Sequence, residues 1–188
     1  MRIISGKFKG HKLKAFQASH IRPTTDRVKE SVFNKLAGDI ADARVLDLYS
    51  GTGNLSFESL SRGADFVMAV EKSAKSLRII EENRKHLKVT EDFQVRKADV
   101  FKFLKGYVGD PFDVILIDPP FTLKIADKTM QELVNSCVLG DDSIIMIESS
   151  RHEPISDAYD GLELWDRKDF GDKVVSFYLT QTKENPNG

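Results

Sequence analysis

Between residues 44 and 149 the chain alternates short apolar runs with helix-periodic stretches, and this alternation limits the available folds more than any other feature. Strand-like runs fall at about 44–48 (RVLDL), 66–71 (FVMAVE), 93–97 (FQVRK), 112–118 (FDVILID) and 143–149 (SIIMIES). Helical patterns near 54–62, 73–87, 99–105 and 124–137 separate them. Strands apolar on both faces, joined through helices, predict an α/β fold with a doubly wound parallel sheet covered on both sides. Ahead of this region, TTDRVKESVFNKLAG sets Val28, Val32, Phe33 and Leu36 on one helical face, with Gly38 as the expected stop. Beyond residue 150, LELWDRKDF and KVVSFYLTQ meet at Gly171 and Asp172, the signal of an antiparallel hairpin. Seven strands are expected in all, mostly parallel. A length of 188 residues with 40% hydrophobic content suits one domain with a sizeable core.

Charge divides the chain where hydropathy does not. Residues 1–29 carry eight Lys/Arg against one acid, whereas the rest carries 20 bases and 28 acids. Within this basic stretch, RIISGKFKGHKLKA turns at Gly6 and Gly10 and predicts a short hairpin. The expected organisation is a basic arm over 1–23 and a body over 24–188. Such asymmetry points to a polyanionic partner, because Lys and Arg near phosphates release counterions. The candidates for that contact are Arg2, Lys7, Lys9, Lys12, Lys14, Arg22, Thr24, Thr25 and Arg27. No apolar run approaches a membrane span or a leader's apolar segment, so no membrane is expected and a cytoplasmic location is. Cys137, the one cysteine, shares a helical spacing with Met130, Leu133 and Val134, which predicts a buried core thiol rather than a nucleophile. The four histidines have no metal-ligand spacing, and no metal is assigned.

In open parallel sheets ligands bind where the strands reach their carboxyl edge. The first strand leads into DLYSGTGNLSFES, where Gly51 and Gly53 allow a tight turn and a close approach to the backbone. A dinucleotide fingerprint needs a third glycine where Ser56 stands, so pyrophosphate recognition, and a nicotinamide oxidoreductase with it, is disfavoured. Asp47 lies four residues before Gly51 instead. Glu71 ends the second strand, where a carboxylate can accept two ribose hydroxyls, and Asp99 follows the third, where it can accept from an adenine amine. The fourth strand runs into Asp118, Pro119, Pro120 and Phe121. Proline rings often end strands, but that alone does not explain the whole tetrapeptide.

Asp47 with LYSGTG, Glu71, Asp99 and D-P-P-F, in that order, resemble the class I S-adenosyl-L-methionine-dependent methyltransferases, whose fold is Rossmann-like. D-P-P-F is similar to the motif of those that methylate exocyclic amines of nucleobases. More narrowly, RIISGKFKGHKL, RPTTDRVKESVFNKL, LDLYSGTGNLSFESLSRGA and VSFY resemble the bacterial RsmD-type enzymes, which methylate N2 of a guanine in small-subunit (16S) ribosomal RNA. This resemblance implies cofactor contacts at Asp47, Tyr49, Ser50, Gly51, Gly53, Glu71, Lys72, Asp99 and Val100, and catalysis at Asp118 to Phe121. Tyr49-Ser50 departs from the Phe followed by Ala or Cys expected of the family. The implied partner is ribosomal RNA, the small subunit or its assembly intermediate.

The chemistry of the motif is consistent with that role. An exocyclic amine must pyramidalise to attack a sulfonium methyl, and acceptors for its two N–H groups favour that geometry. Asp118 can supply one and the Pro119 carbonyl the other, while Phe121 can stack on a base withdrawn from its helix or loop. Two alternatives remain open at this level: an amino-methyltransferase acting on adenine or cytosine of DNA or another RNA, and a non-catalytic RNA-binding module of the same fold. No interval between the strands is long enough for the target-recognition insertion that a DNA enzyme usually needs.

Overall fold

In the computed structural model, residues 1–16, 26–89 and 93–181 are described. One sheet organises them. Its parallel part comprises β1 (Arg44–Leu48), β2 (Phe66–Glu71), β3 (Phe93–Lys97), β4 (Phe112–Ile117) and β5 (Leu139–Ser150). Its antiparallel part comprises β6 (Ala158–Tyr159), β7 (Leu162–Phe170) and β8 (Lys173–Thr180), and the spatial order is β3-β2-β1-β4-β5-β8-β7-β6. Among the described residues eight strands stand where seven were expected. The addition, β6, is two residues long and pairs only with the start of β7, too short to leave a period in the sequence.

Alternate residues of each strand build two apolar layers. Val45, Val114, Leu116, Met146 and Phe177 face α1 (Asp26–Lys35), α3 (Asn54–Ser61) and α4 (Ala74–Leu87). Leu46, Leu48, Ile115, Ile117 and Ile147 face α5 (Val100–Gly106) and α6 (Ala126–Leu133). Both faces of β1 and β4 are therefore dry, as a parallel sheet requires.

Two helix ends differ from expectation. α1 breaks at Leu36, and a further turn, α2 (Ala37–Ile40), carries Gly38 inside it rather than after it. Leu36 and Ile40 are both buried, and their packing extends the helical path past the glycine. α6 stops at Leu133, four residues short of Cys137, which lies in the following turn and is exposed. The apolar spacing ran on past the hydrogen bonds, so Cys137 is not a core thiol.

The first 16 residues are docked on the α1/α3/α4 side. Ile3 and Leu13 join its core, and an isolated bridge pairs Arg2 with Lys12. Gly6 (φ 80°) permits the closest contact, since a Cβ there would sit 1.6 Å from the Ser61 carbonyl oxygen. The expected boundary between arm and body, at 23/24, lies outside the described residues.

Candidate active site

The turn after β1 is built around two carboxylates. Asp47 is buried, and its Oδ2 accepts from the Ser56 amide at 3.0 Å and from the Ser56 hydroxyl. Ser56, the residue that breaks the dinucleotide fingerprint, is thus what holds Asp47 in place. Glu71 reaches across from β2: Oε2 accepts from the Gly51 amide at 2.9 Å and Oε1 from the Ser73 amide at 2.6 Å. Gly53 (φ 84°) starts α3, and a Cβ there would meet the Phe57 ring at 2.7 Å, so only glycine fits.

Asp47 Oδ1 is buried and has no hydrogen-bond partner. This carboxyl is pushed up to about 7, chiefly by burial and further by the charges of Asp118 and Glu71, against the Ser56 bonds that pull it down. A buried acid with a raised pKa and one unused acceptor is poised to take a cation or an N–H donor.

Tyr49 adopts a left-handed backbone (φ 62°), uncommon for a bulky residue. Its hydroxyl lies 2.8 Å from Thr129 Oγ1 on α6, and Thr129 in turn donates to the Ile125 carbonyl at 2.7 Å. The hydroxyl that distinguishes Tyr49 from phenylalanine thus ties the glycine turn to the helix that follows D-P-P-F. Burial lifts its pKa to about 12. Ser50 donates to the Val70 carbonyl through both its amide and its hydroxyl.

Asp47, Tyr49, Ser50, Gly51, Asn54 and Asp118 share a cavity of about 180 Å³, and Met1, Ala15 and Phe16 of the arm line it as well. Its wall does not include Lys72, Asp99, Val100, Glu71 or Pro119 to Phe121. Asp99 caps α5, with Oδ1 accepting from the Phe101 and Lys102 amides, while Oδ2 lies 3.8 Å from Lys72 Nζ. Val100 packs in the α5/α6 core. Asp118 directly follows β4, and its amide is 3.5 Å from the Leu48 carbonyl. Pro119 is buried, Pro120 is exposed, and Phe121 opens a single 3₁₀ turn with its ring 4.7 Å from Lys173 Nζ.

The basic residues of the first stretch divide in two. Lys7, Lys9 and Lys12 are near its surface, Arg2 pairs with Asp26 at 2.8 Å, and Lys14 pairs with Glu82 at 3.0 Å. Arg27 is exposed at the start of α1, whereas Arg22, Thr24 and Thr25 lie outside the described residues. Lys29, counted with the arm's positive charge, contributes none to its surface. It is 1% exposed, and its Nζ reaches the Arg2 carbonyl (2.6 Å), Asn54 Oδ1 (2.9 Å) and Glu58 Oε2 (3.2 Å). Among the described residues no group of His, Cys, Asp and Glu could hold a metal ion.

Known proteins share this sequence pattern and fold. The family model described as conserved hypothetical protein 95 matches residues 1–179. The Haemophilus influenzae protein named ribosomal RNA small subunit methyltransferase D is 34% identical over 82% of this chain and 81% of its own length. Its Escherichia coli K12 namesake is 35% identical over 79% and 74%. The solved Escherichia coli structure of yhhF superposes with a TM-score of 0.87 at 31% identity, covering 97% of this chain and 99% of its own. With the glycine turn, the carboxylate pair and D-P-P-F at one sheet edge, the chain belongs to this family of RsmD-type, class I methyltransferases.

Proposed function

We propose that this chain transfers a methyl group from S-adenosyl-L-methionine to the exocyclic N2 amine of a guanine in small-subunit ribosomal RNA. The observation that carries the proposal is that one cavity holds both the unpartnered Asp47 Oδ1 and Asp118. The relatives named ribosomal RNA small subunit methyltransferase D support the choice of RNA.

The residues present fit the cofactor. Asp47 Oδ1 would accept from its α-ammonium group, which gives the orphaned oxygen a donor and the buried carboxylate a counter-charge. Glu71, which holds Gly51, would accept from the ribose hydroxyls, Ser50 and Tyr49 shape the turn, and Asp99 with Lys72 and Val100 would border the adenine from beyond the cavity wall. When bound, the cofactor supplies an electrophilic methyl group on a sulfonium that departs as a neutral thioether. Asp118 and the Pro119 carbonyl accept from the two N2–H groups, so the nitrogen lone pair turns out of the ring plane toward the methyl carbon. As the nitrogen–carbon bond forms, one N2 proton becomes acidic, and Asp118 is placed to receive it. Phe121 stacks on the base. Residues 1–23 act as an RNA-contacting arm on a methyltransferase body of 24–188, through Arg2, Lys7, Lys9, Lys12 and Lys14 and with Arg22, Thr24, Thr25 and Arg27 at the junction. No helix among the described residues is long and apolar enough to cross a membrane. A substrate in the small subunit or its assembly intermediate sets the reaction in the cytoplasm.

Methylated nucleotides mapped in ribosomal RNA from cells with and without the protein provide the test. One N2-methylguanosine of the small subunit should be lost in its absence, and an unchanged pattern would contradict the assignment.

The Asp47 carboxyl adds a pH signature. Its pKa lies near 7. An ammonium ligand favours the ionised form, so affinity should rise with pH through that value. Between pH 6 and 7 the ionised fraction grows about fivefold for a pKa of 7, and cofactor affinity should follow it by about that factor, while the α-ammonium group, which itself titrates near 8, limits the gain above pH 7. In Asp47→Asn the affinity should be low and the pH dependence lost. Calorimetric titration at pH 6, 7 and 8 decides it, and a flat profile for the unaltered protein removes Asp47 from cofactor recognition.

A further inference from the structure

Beside the D-P-P-F loop lies an ion pair that the chemistry above leaves unused. Glu148, on β5, is 2% exposed, and Lys173, at the start of β8, is 8% exposed; the Lys173 ammonium bonds Glu148 Oε1. Ile117 pairs with Ile147 in the parallel β4/β5 ladder, so Glu148 stands next to Asp118 on the neighbouring strand. Glu148 pairs in turn with Val175, and Lys173 lies two residues along on the same face. Strand alternation with Leu116, Met146 and Val175 places Asp118, Glu148 and Lys173 on the side of the sheet that the arm covers.

Sheet stability does not account for this pair. β5 and β8 already pair continuously from Ile144 to Ser150. A buried ion pair is often no better for stability than apolar residues of equal volume. The Lys173 ammonium also lies 4.7 Å from the Phe121 ring, within the loop proposed to receive the base.

We infer that Glu148 and Lys173 read the Watson–Crick edge of the target base, Glu148 accepting from guanine N1–H and Lys173 donating to O6. The inference rests on the proposed guanine-N2 activity and names the groups that make it specific for guanine. Across β4, β5 and β8 the edge offers acceptor, acceptor, donor. Guanine, with its N2 amine at Asp118, offers donor, donor, acceptor in the same order. Adenine or cytosine, with its own exocyclic amine at Asp118, would turn a bare ring nitrogen toward the Glu148 carboxylate, lone pair against lone pair. The pair need not separate to read the base. A carboxylate has about four lone-pair sites and an ammonium three donors, so each can hold its partner and a base atom together.

The test uses small subunits reconstituted with ribosomal RNA in which the mapped guanine is replaced, by ligation of a synthetic fragment, with 2,6-diaminopurine. This base keeps the 2-amine but has a bare N1 and an amine in place of O6. The unaltered protein should methylate it about tenfold to a hundredfold more slowly than guanine, the usual range for one mismatched bidentate base contact. Glu148→Gln, whose amide can donate to the bare N1, should narrow that preference by about tenfold while cofactor affinity stays unchanged. A residue that only tied β5 to β8 would slow both substrates alike. Equal rates of the unaltered protein on the two bases, which needs no variant to fold, overturns the inference. So does a Glu148→Gln variant that loses the same factor on each. A methyl group mapped to any atom other than a guanine N2 overturns the proposed function itself, and this inference with it.

Discussion

Asp118→Ala should lose methyl transfer by about a hundredfold or more, because removing one aligned acceptor from a site closed to water costs about 3 to 4 kcal/mol of barrier. The Pro119 carbonyl alone would then hold the amine, leaving one N–H without an acceptor. Asp118→Asn retains one oxygen and should fall between the variant and the unaltered protein. Cofactor affinity distinguishes this loss from a collapsed site. The Asp118 charge contributes to raising the Asp47 carboxyl toward 7. Its removal lowers that pKa, so more Asp47 is ionised at pH 6 and an ammonium should bind at least as well as before. Rate and affinity should therefore part company, the first falling steeply and the second holding or rising slightly. Single-turnover rates beside calorimetric titrations at pH 6 would show it, and near-normal turnover by the alanine variant removes Asp118 from the mechanism.

What could be read from the sequence follows from where side chains are forced. β1, β2 and β3 fall on the residues anticipated, since strands dry on both faces leave unbroken apolar runs bounded by polar turns. Asp47, Glu71 and Asp118 were visible because each is a charge at the carboxyl end of such a run. Lys29 was not. Its neighbours Val28 and Val32 mark the buried face of α1, but a lysine beside them reads as a solvated flank until Glu58, 29 positions on, is placed against it. Glu148 and Lys173 were hidden for the same reason: 25 residues separate them, and only the β5/β8 register brings them together. Ser56 does leave a signal, since its hydroxyl stands where a third glycine would and is a donor that holds Asp47. Cys137 erred the other way, because an apolar spacing carries no mark of where helical hydrogen bonding ends.

Lys29→Met should destabilise the protein by about 3 kcal/mol, the lower end of the cost of leaving one member of a buried pair without its partner. Glu58 is 0% exposed and serves three neighbours besides Lys29: it accepts from the Ile4 and Ser5 amides and from Arg62 Nε, at 2.9, 3.1 and 2.8 Å. Arg62 offsets part of the stranded charge, which is why the lower end of the range applies. The consequence is more than thermodynamic, since the same ammonium bonds the Arg2 carbonyl in the arm and Asn54 at the start of α3. Asn54 and Met1 both line the cavity. Lys29 therefore joins the basic arm to the glycine turn, and its loss should weaken cofactor binding even though Lys29 touches no ligand. Glu58→Gln in the Lys29→Met background removes both charges together, and the neutral amide oxygen can still accept from an arm amide. Most of the lost stability should return in the double variant, whereas independent sites would add their costs. Urea unfolding of the four proteins measures that coupling, and a Lys29→Met protein that unfolds with the original midpoint would show that the arm is held by Ile3 and Leu13 alone.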